Sequence, residues 1–172
     1  DSPENFKLIY ADSMIYAAKK SMNNALIGSA YLTKGIVFYA QKKLKQALDN
    51  YVIANNFISK TNDPYLTYKT KYNIAQIKYH LGFYEEAIPL LKECIKYFKG
   101  ENARAYLNSL HSLGLCHNRI GNYGVSTEIN EKGIAEGKRL ANDQVEPYFV
   151  HSEGINQYFK YNYALALQKL KH

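Results

Sequence analysis

Apolar residues recur along the chain at three- and four-residue spacing, as in Ile74, Ile77 and Leu81 and then Ile88, Leu91, Ile95 and Phe98. Each set lines one face of a helix. No strand-type alternation of useful length interrupts them. Short breakers punctuate the pattern at Lys42-Lys43, Gly82-Phe83, Gly121-Asn122 and Tyr161-Asn162, and a second set falls at Thr61-Asn62-Asp63-Pro64, Gly100 and Asn142-Asp143. Asp63-Pro64 is a helix start, because the Asp side chain can cap and Pro fits the first turn. Residues 4–22, with Phe6, Tyr10, Ala17 and Ala18, and the stretch Tyr163–Leu170 read as helices at either end. The pattern predicts an all-α chain of about nine helices.

The helices repeat in a frame. A small residue opens it at Gly35, Ala75, Gly114 and Gly154, in steps of 40, 39 and 40. Nine residues on lie Leu44, Tyr84, Tyr123 and Tyr163, and twelve on lie Ala47, Ala87, Ser126 and Ala166. Sixteen on stand Tyr51, Leu91, Asn130 and Leu170, and nineteen on stand Ala54, Cys94 and Gly133. Close approach of paired helices explains the small residues, with the larger residue filling the gap beside them.

Two stretches carry a family resemblance: Tyr31-x2-Lys34-Gly35-x2-Phe38 with Ala47-x3-Tyr51-x2-Ala54, and Ile74-Ala75 with Gly82-x-Tyr84-x2-Ala87-x3-Leu91. They resemble the tetratricopeptide repeat. The resemblance implies a right-handed α-α superhelix, a solenoid of antiparallel helix pairs. Residues 1–172 then form one array: an orphan helix of a preceding repeat at 1–23, repeats at 24–62, 63–101 and 102–142, and a truncated fourth at 143–172. The period of about 40 exceeds the family's usual 34, as in the long-repeat arrays of bacterial signalling and transcription regulators. The third repeat departs from the pattern, with Ser126, Asn130 and Gly133 for Ala, aromatic and Ala. Gly137 follows in the same helix, and an interior Gly costs about 1 kcal/mol against Ala. This helix is expected to be the loosest.

In the family the first helices line a concave groove. Carried over by position, that face holds Leu32, Ile36 and Tyr39, then Lys69, Tyr72, Gln76, Tyr79 and His80. The third repeat adds Asn108, His111, Leu115, Asn118 and Arg119, and the fourth Tyr148, His151, Ile155, Tyr158 and Phe159. Tyr, His, Asn and Gln offer contact area with polar tips, which suits a peptide or a helix. The family's clamp for a chaperone C-terminal carboxylate is not expected, because among Leu32, Ile36, Asn73, Asn108 and Ser112 only Asn73 fits it.

Composition narrows the function. The 22 Lys+Arg against 15 Asp+Glu give +7, spread thinly and with only three Arg, Arg104, Arg119 and Arg139. Direct nucleic-acid binding would ask for Arg clusters with interleaved aromatics. No uncharged apolar run approaches the roughly 18 residues that insert in a membrane. Two Cys are too few for a disulfide scaffold; Cys94 reads as a buried thiol, and a Cys94–Cys116 bridge is a minor alternative. His80, His111, His117, His151 and His172 lack the spacing and acidic partners of a metal site. No phosphate-cradling loop or nucleophile elbow occurs. The expectation is a non-catalytic, cofactor-free module that takes a protein or peptide segment in its groove, as the sensor or regulatory region of a larger bacterial regulator. The alternative is a structural scaffold subunit of a multiprotein assembly. Asp rather than Met at position 1 points to a piece of a longer protein, cytoplasmic, or periplasmic if a signal peptide has been removed.

Overall fold

The computed structural model describes residues 3–142 and 144–171, and side chains from residue 6 onward. Asp1, Ser2, Asp143 and His172, which belong to the expected first and last segments and the Asn142-Asp143 break, lie outside the described residues. Among the described residues there are nine helices: α1 Pro3–Lys20, α2 Asn24–Ala40, α3 Leu44–Ile58, α4 Pro64–His80, α5 Tyr84–Glu101, α6 Ala103–Arg119, α7 Tyr123–Arg139, α8 Glu146–Phe159 and α9 Tyr163–Leu170. The fold is all-α, as expected. It divides into two compact units, Asp1–Leu81 with α1–α4 and Gly82–His172 with α5–α9.

Local chemistry sets the helix ends. The first helices of three repeats start at polar caps. Asn23 accepts from the N–H groups of Ala25 and Leu26, Asp63 from Leu66 at 2.9 Å, and Asn102 from Ala105 at 2.9 Å. The second helices begin differently. Seven residues after each small frame residue the backbone turns left-handed, at Lys42 (φ 58°), Gly82 (85°), Gly121 (80°) and Tyr161 (62°). At three of these turns the next N–H closes back on the helix, from Lys43 to the Phe38 carbonyl, Asn122 to His117 and Asn162 to Gln157, at 2.8–2.9 Å. The frame therefore demands a left-handed residue even where the sequence supplies Lys or Tyr.

In the N-terminal unit each helix packs on the next. Leu32, Ala47, Tyr51, Ala54, Ile58 and Ile77 form one buried cluster of α2, α3 and α4, and Ile15, Ala18, Ile27 and Ala30 close α1 onto α2. A side chain on Gly35 would collide with the Tyr51 ring sixteen residues on. Burying a residue of this size contributes about 1.5–3 kcal/mol, so the small residue has a direct physical reason.

The C-terminal unit follows the same plan at Gly154, where a side chain would lie 2.8 Å from Leu170, again sixteen residues on. Its α7–α8 contact is built otherwise. Phe149 of α8 is fully buried, and its ring fills the space a side chain on Gly133 would take. Beside it Glu153 of α8 is buried. Thr127 (3.1 Å) and Asn130 (3.2 Å) of α7 donate to its carboxyl, as do Asn156 (3.1 Å) and Gln157 (2.6 Å) of α8. Lys160 donates to the Thr127 hydroxyl at 2.9 Å rather than to Glu153. Ser126 donates to the Gly114 carbonyl at 2.8 Å and accepts from Asn156 at 2.9 Å. Each departure of the third frame thus has a specific partner: Ser126 and Asn130 join a hydrogen-bonded network, and Gly133 admits a ring.

Candidate functional site

In the N-terminal unit the candidate residues lie on α2 and α4. Tyr39, Lys69, Tyr72, Gln76 and Tyr79 are all half-buried, and His80 and Ile36 are exposed. Leu32 departs from its expected place on the groove: it is buried in the α2–α3–α4 core. The structure brings Tyr39 and His80 together, hydroxyl to Nε2 at 2.7 Å with ring centroids 5.5 Å apart. Burial raises the Tyr39 pKa above 10.0, so its hydroxyl keeps its proton across the ordinary pH range. The pair walls a cavity of about 410 Å³ with Ala40, Lys42 and Leu44. Tyr79 sits edge-on to His80 at 5.3 Å, and the Lys69 ammonium lies 5.9 Å from the centre of the Tyr65 ring.

In the C-terminal unit the candidates lie on α6 and α8. Asn108, His111 and Asn118 are half-buried, whereas Arg119, Tyr148, His151 and Tyr158 are exposed. His111 Nε2 pairs with Ser152 Oγ at 2.9 Å, and its ring lies 5.8 Å from Tyr148 and 5.4 Å, edge-on, from Phe149. Asn118 donates to Asn156 Oδ1 at 2.7 Å. A cavity of about 80 Å³ lies among Leu115, Asn118, Arg119, Ser152 and Ile155. Ser152 and Asn156, which hold His111 and Asn118, were not among the sequence candidates. Nothing in their residue types marks them, since Ser and Asn on a helix read as surface; only the polar breaks of the third frame hint that α8 must answer them.

His111 makes this face sensitive to pH. Burial lowers its pKa below 6.5, with a further lowering from His151, against an opposing backbone hydrogen bond at Tyr148. The folded state therefore holds His111 neutral where the unfolded chain already binds a proton. Stability is full above 6.5 and is lost as pH falls through 6.5 toward the lowered value. Urea midpoints between pH 7.5 and 5 should fall with acidification, and His111→Gln, which keeps a polar partner for Ser152, should flatten the slope. Part of it will remain, because burial also lowers His117. An unchanged slope would remove His111 from this account.

Other chemistry is sparse. Cys94 and Cys116 are buried and not disulfide-bonded, and burial pushes the Cys116 thiol up to about 12. Among the described residues no three metal-ligating side chains gather, and no helix is long and apolar enough to cross a membrane. What the first helices offer is contact: rings with polar tips and amides on accessible faces.

The tetratricopeptide repeat family model matches residues 66–135. No curated protein matches the chain. Among solved structures, the Rap conjugation gene regulator of the plasmid pLS20, in complex with the Phr* peptide, superposes with a TM-score of 0.79 at 15% identity. It covers 89% of this chain, which spans 43% of the Rap chain. A putative kinesin light chain from Podosopora anserina with TPR-like repeats superposes at 0.78 and 13% identity, over 95% of this chain and 82% of its own. PlcR of Bacillus thuringiensis, in complex with the peptide PapR7 and DNA, superposes at 0.68 and 13% identity, over 96% and 65%. At these identities the likeness is one of fold. Such a fold is a protein-interaction scaffold, typically without catalysis. With the tetratricopeptide repeat model matched at residues 66–135 and the same frame-setting contacts found at Gly35 and Gly154 outside that match, the chain has a tetratricopeptide-like helical-repeat fold.

Proposed function

We propose that the chain is a non-catalytic peptide-binding module whose first helices carry the binding face, and that it serves as the sensor or regulatory region of a larger bacterial regulator. The observation that carries this reading is the half-buried run of polar-tipped rings and amides on α4, Tyr72, Gln76 and Tyr79, with Tyr39 on the neighbouring α2. The fold likeness to Rap solved with Phr* and to PlcR solved with PapR7 supports it. In the C-terminal unit Asn108, His111, Asn118, Arg119, Tyr148, His151 and Tyr158 form a second surface of the same kind. A bound segment would favour those conformations of the repeats that it contacts best, and so shift their population.

The test starts from peptides selected by display against the whole 172-residue chain, with affinity then measured by calorimetry. Tyr72→Ala combined with Tyr79→Ala should weaken binding at least tenfold. Asn56→Ala, on the exposed side of α3, should leave it unchanged. The reverse pattern would place the partner on the second helices and overturn the assignment.

A further inference from the structure

Net charge separates the two units. Asp1–Leu81 holds 11 of the 22 Lys+Arg but only five of the 15 Asp+Glu, so it carries +6 of the chain's +7. The excess that looks thinly spread along the sequence belongs to one unit. Within it the α2–α3 turn has Lys42, Lys43 and Lys45, all exposed and without an ion pair among the described residues. Lys42 walls the cavity of about 410 Å³ with the Tyr39–His80 pair, and Ala40 and Leu44 are its apolar part. That volume lies in the range of about 300–1,000 Å³ that holds small ligands. Lys42 stands in a left-handed turn (φ 58°) that glycine fills at Gly82 and Gly121, so the cation is placed there at a backbone cost. Tyr39 keeps its proton, and that proton can go to His80 Nε2 or to an incoming acceptor. When it goes to the acceptor, His80 in its other tautomer donates Nε2–H to the Tyr39 oxygen, and the pair still holds. Tyr39 thus offers a donor and Lys42 a full charge, which together suit a carboxylate.

We propose that this cavity is the subsite for an acidic side chain of the bound peptide, Asp or Glu, with an aliphatic neighbour against Ala40 and Leu44. The proposal rests on the peptide-binding reading above and names the chemistry of the peptide. The charge of the N-terminal unit draws such a segment in. Nucleic acid fits less well. The three Arg, whose planar fork suits phosphate, all lie in the other unit. On α4, the Tyr65 and Tyr68 rings on which bases would stack are already faced by the Lys69 and Lys71 ammoniums, at 5.9 and 5.1 Å.

The probe is a display library of random peptides, selected in parallel against the whole chain and against its Lys42→Glu variant. The unaltered chain should enrich Asp and Glu beside an aliphatic residue, and Lys42→Glu should not. The tightest acidic peptide is then labelled with fluorescein and titrated by anisotropy. Replacing its acid with the matching amide should weaken binding at least tenfold, as should Lys42→Glu. Tyr39→Phe, which keeps the ring and removes the donor, should weaken it several-fold. Lys60→Glu makes the same charge change at another exposed lysine of this unit; it should leave affinity within a factor of about two, since distant exposed charges are screened. An unchanged urea midpoint verifies the fold of each variant. Neutral peptides that bind Lys42→Glu equally well overturn the proposal; if Tyr72→Ala with Tyr79→Ala weakens them, the groove reading stands without it. Recovery of no peptide overturns both. A uridine oligonucleotide that binds tighter than the acidic peptide, and is lost in Lys42→Glu, gives the cavity to nucleic acid instead.

Discussion

Gly133→Ala should destabilise the chain by about 2 kcal/mol, although alanine is the better helix former. Propensity alone predicts a gain of about 1 kcal/mol. Against it stands the buried Phe149 ring, which occupies the space where the new methyl would lie, and overpacking of this kind costs about 1–3 kcal/mol. The ring has nowhere to go, so the clash decides the sign. Gly137, one turn along the same helix, provides the contrast. A methyl there would meet Val145 at 3.4 Å, an ordinary contact, and Gly137→Ala should stabilise by up to about 1 kcal/mol. Urea unfolding followed by circular dichroism measures both. Adding Phe149→Leu to Gly133→Ala should recover part of the loss, because the two changes share one space. If Gly133→Ala proves stabilising, the ring is not wedged as described.

The second large effect is expected at Glu153. Glu153→Ala removes the acceptor shared by Thr127, Asn130, Asn156 and Gln157 and leaves buried donors unsatisfied. Breaking a buried network by one partner costs about 3 kcal/mol. Replacing matched partners with apolar groups costs far less, so Glu153→Leu with Asn130→Leu should be more stable than Glu153→Ala alone. Leucine at both places restores what other frames carry, Leu91 at the second-helix position and Leu113 beside the small residue. The double variant also removes the buried Asn130 Oδ1, which has no hydrogen-bond partner. A mutant cycle over these positions should show a coupling of about 1 kcal/mol or more. A loss below about 0.5 kcal/mol in Glu153→Ala would mean the network does not hold α8 in place.

These two sites mark where the sequence was readable and where it was not. The recurrence of a small residue with Tyr51, Leu91 or Leu170 sixteen positions on was visible in the sequence, and the structure turns it into a contact at Gly35 with Tyr51 and Gly154 with Leu170. The breaks at Lys42 and Tyr161 were visible in the sequence, but their left-handed turns were not, since neither residue type suggests that conformation. Glu153 was hidden because a carboxylate on a helix ordinarily faces water, and burial depends on donors scattered over two helices. The breaks at Ser126, Asn130 and Gly133 looked like weakness because each was weighed alone. Their compensation lies 16 to 30 residues away, at Phe149, Glu153 and Asn156, in side chains with no spacing rule of their own. The candidate face was legible only as helix positions. Which of its polar tips turn inward, as His111 and Asn118 do, depends on what the next helix presents.

The two kinds of junction also differ in how they respond to cooling. The α3–α4 contact is closed by Tyr51, Ala54, Ile58 and Ile77, and such apolar surface carries a heat capacity of hydration that weakens its hold in the cold. The α7–α8 contact adds to the Phe149 ring a set of hydrogen bonds around Glu153, whose exposure changes heat capacity with the opposite sign. Near freezing, the N-terminal junction should therefore loosen while the C-terminal one keeps its grip. The chain's thermal softness is set by which repeat is apolar, and temperature can address one junction without the other.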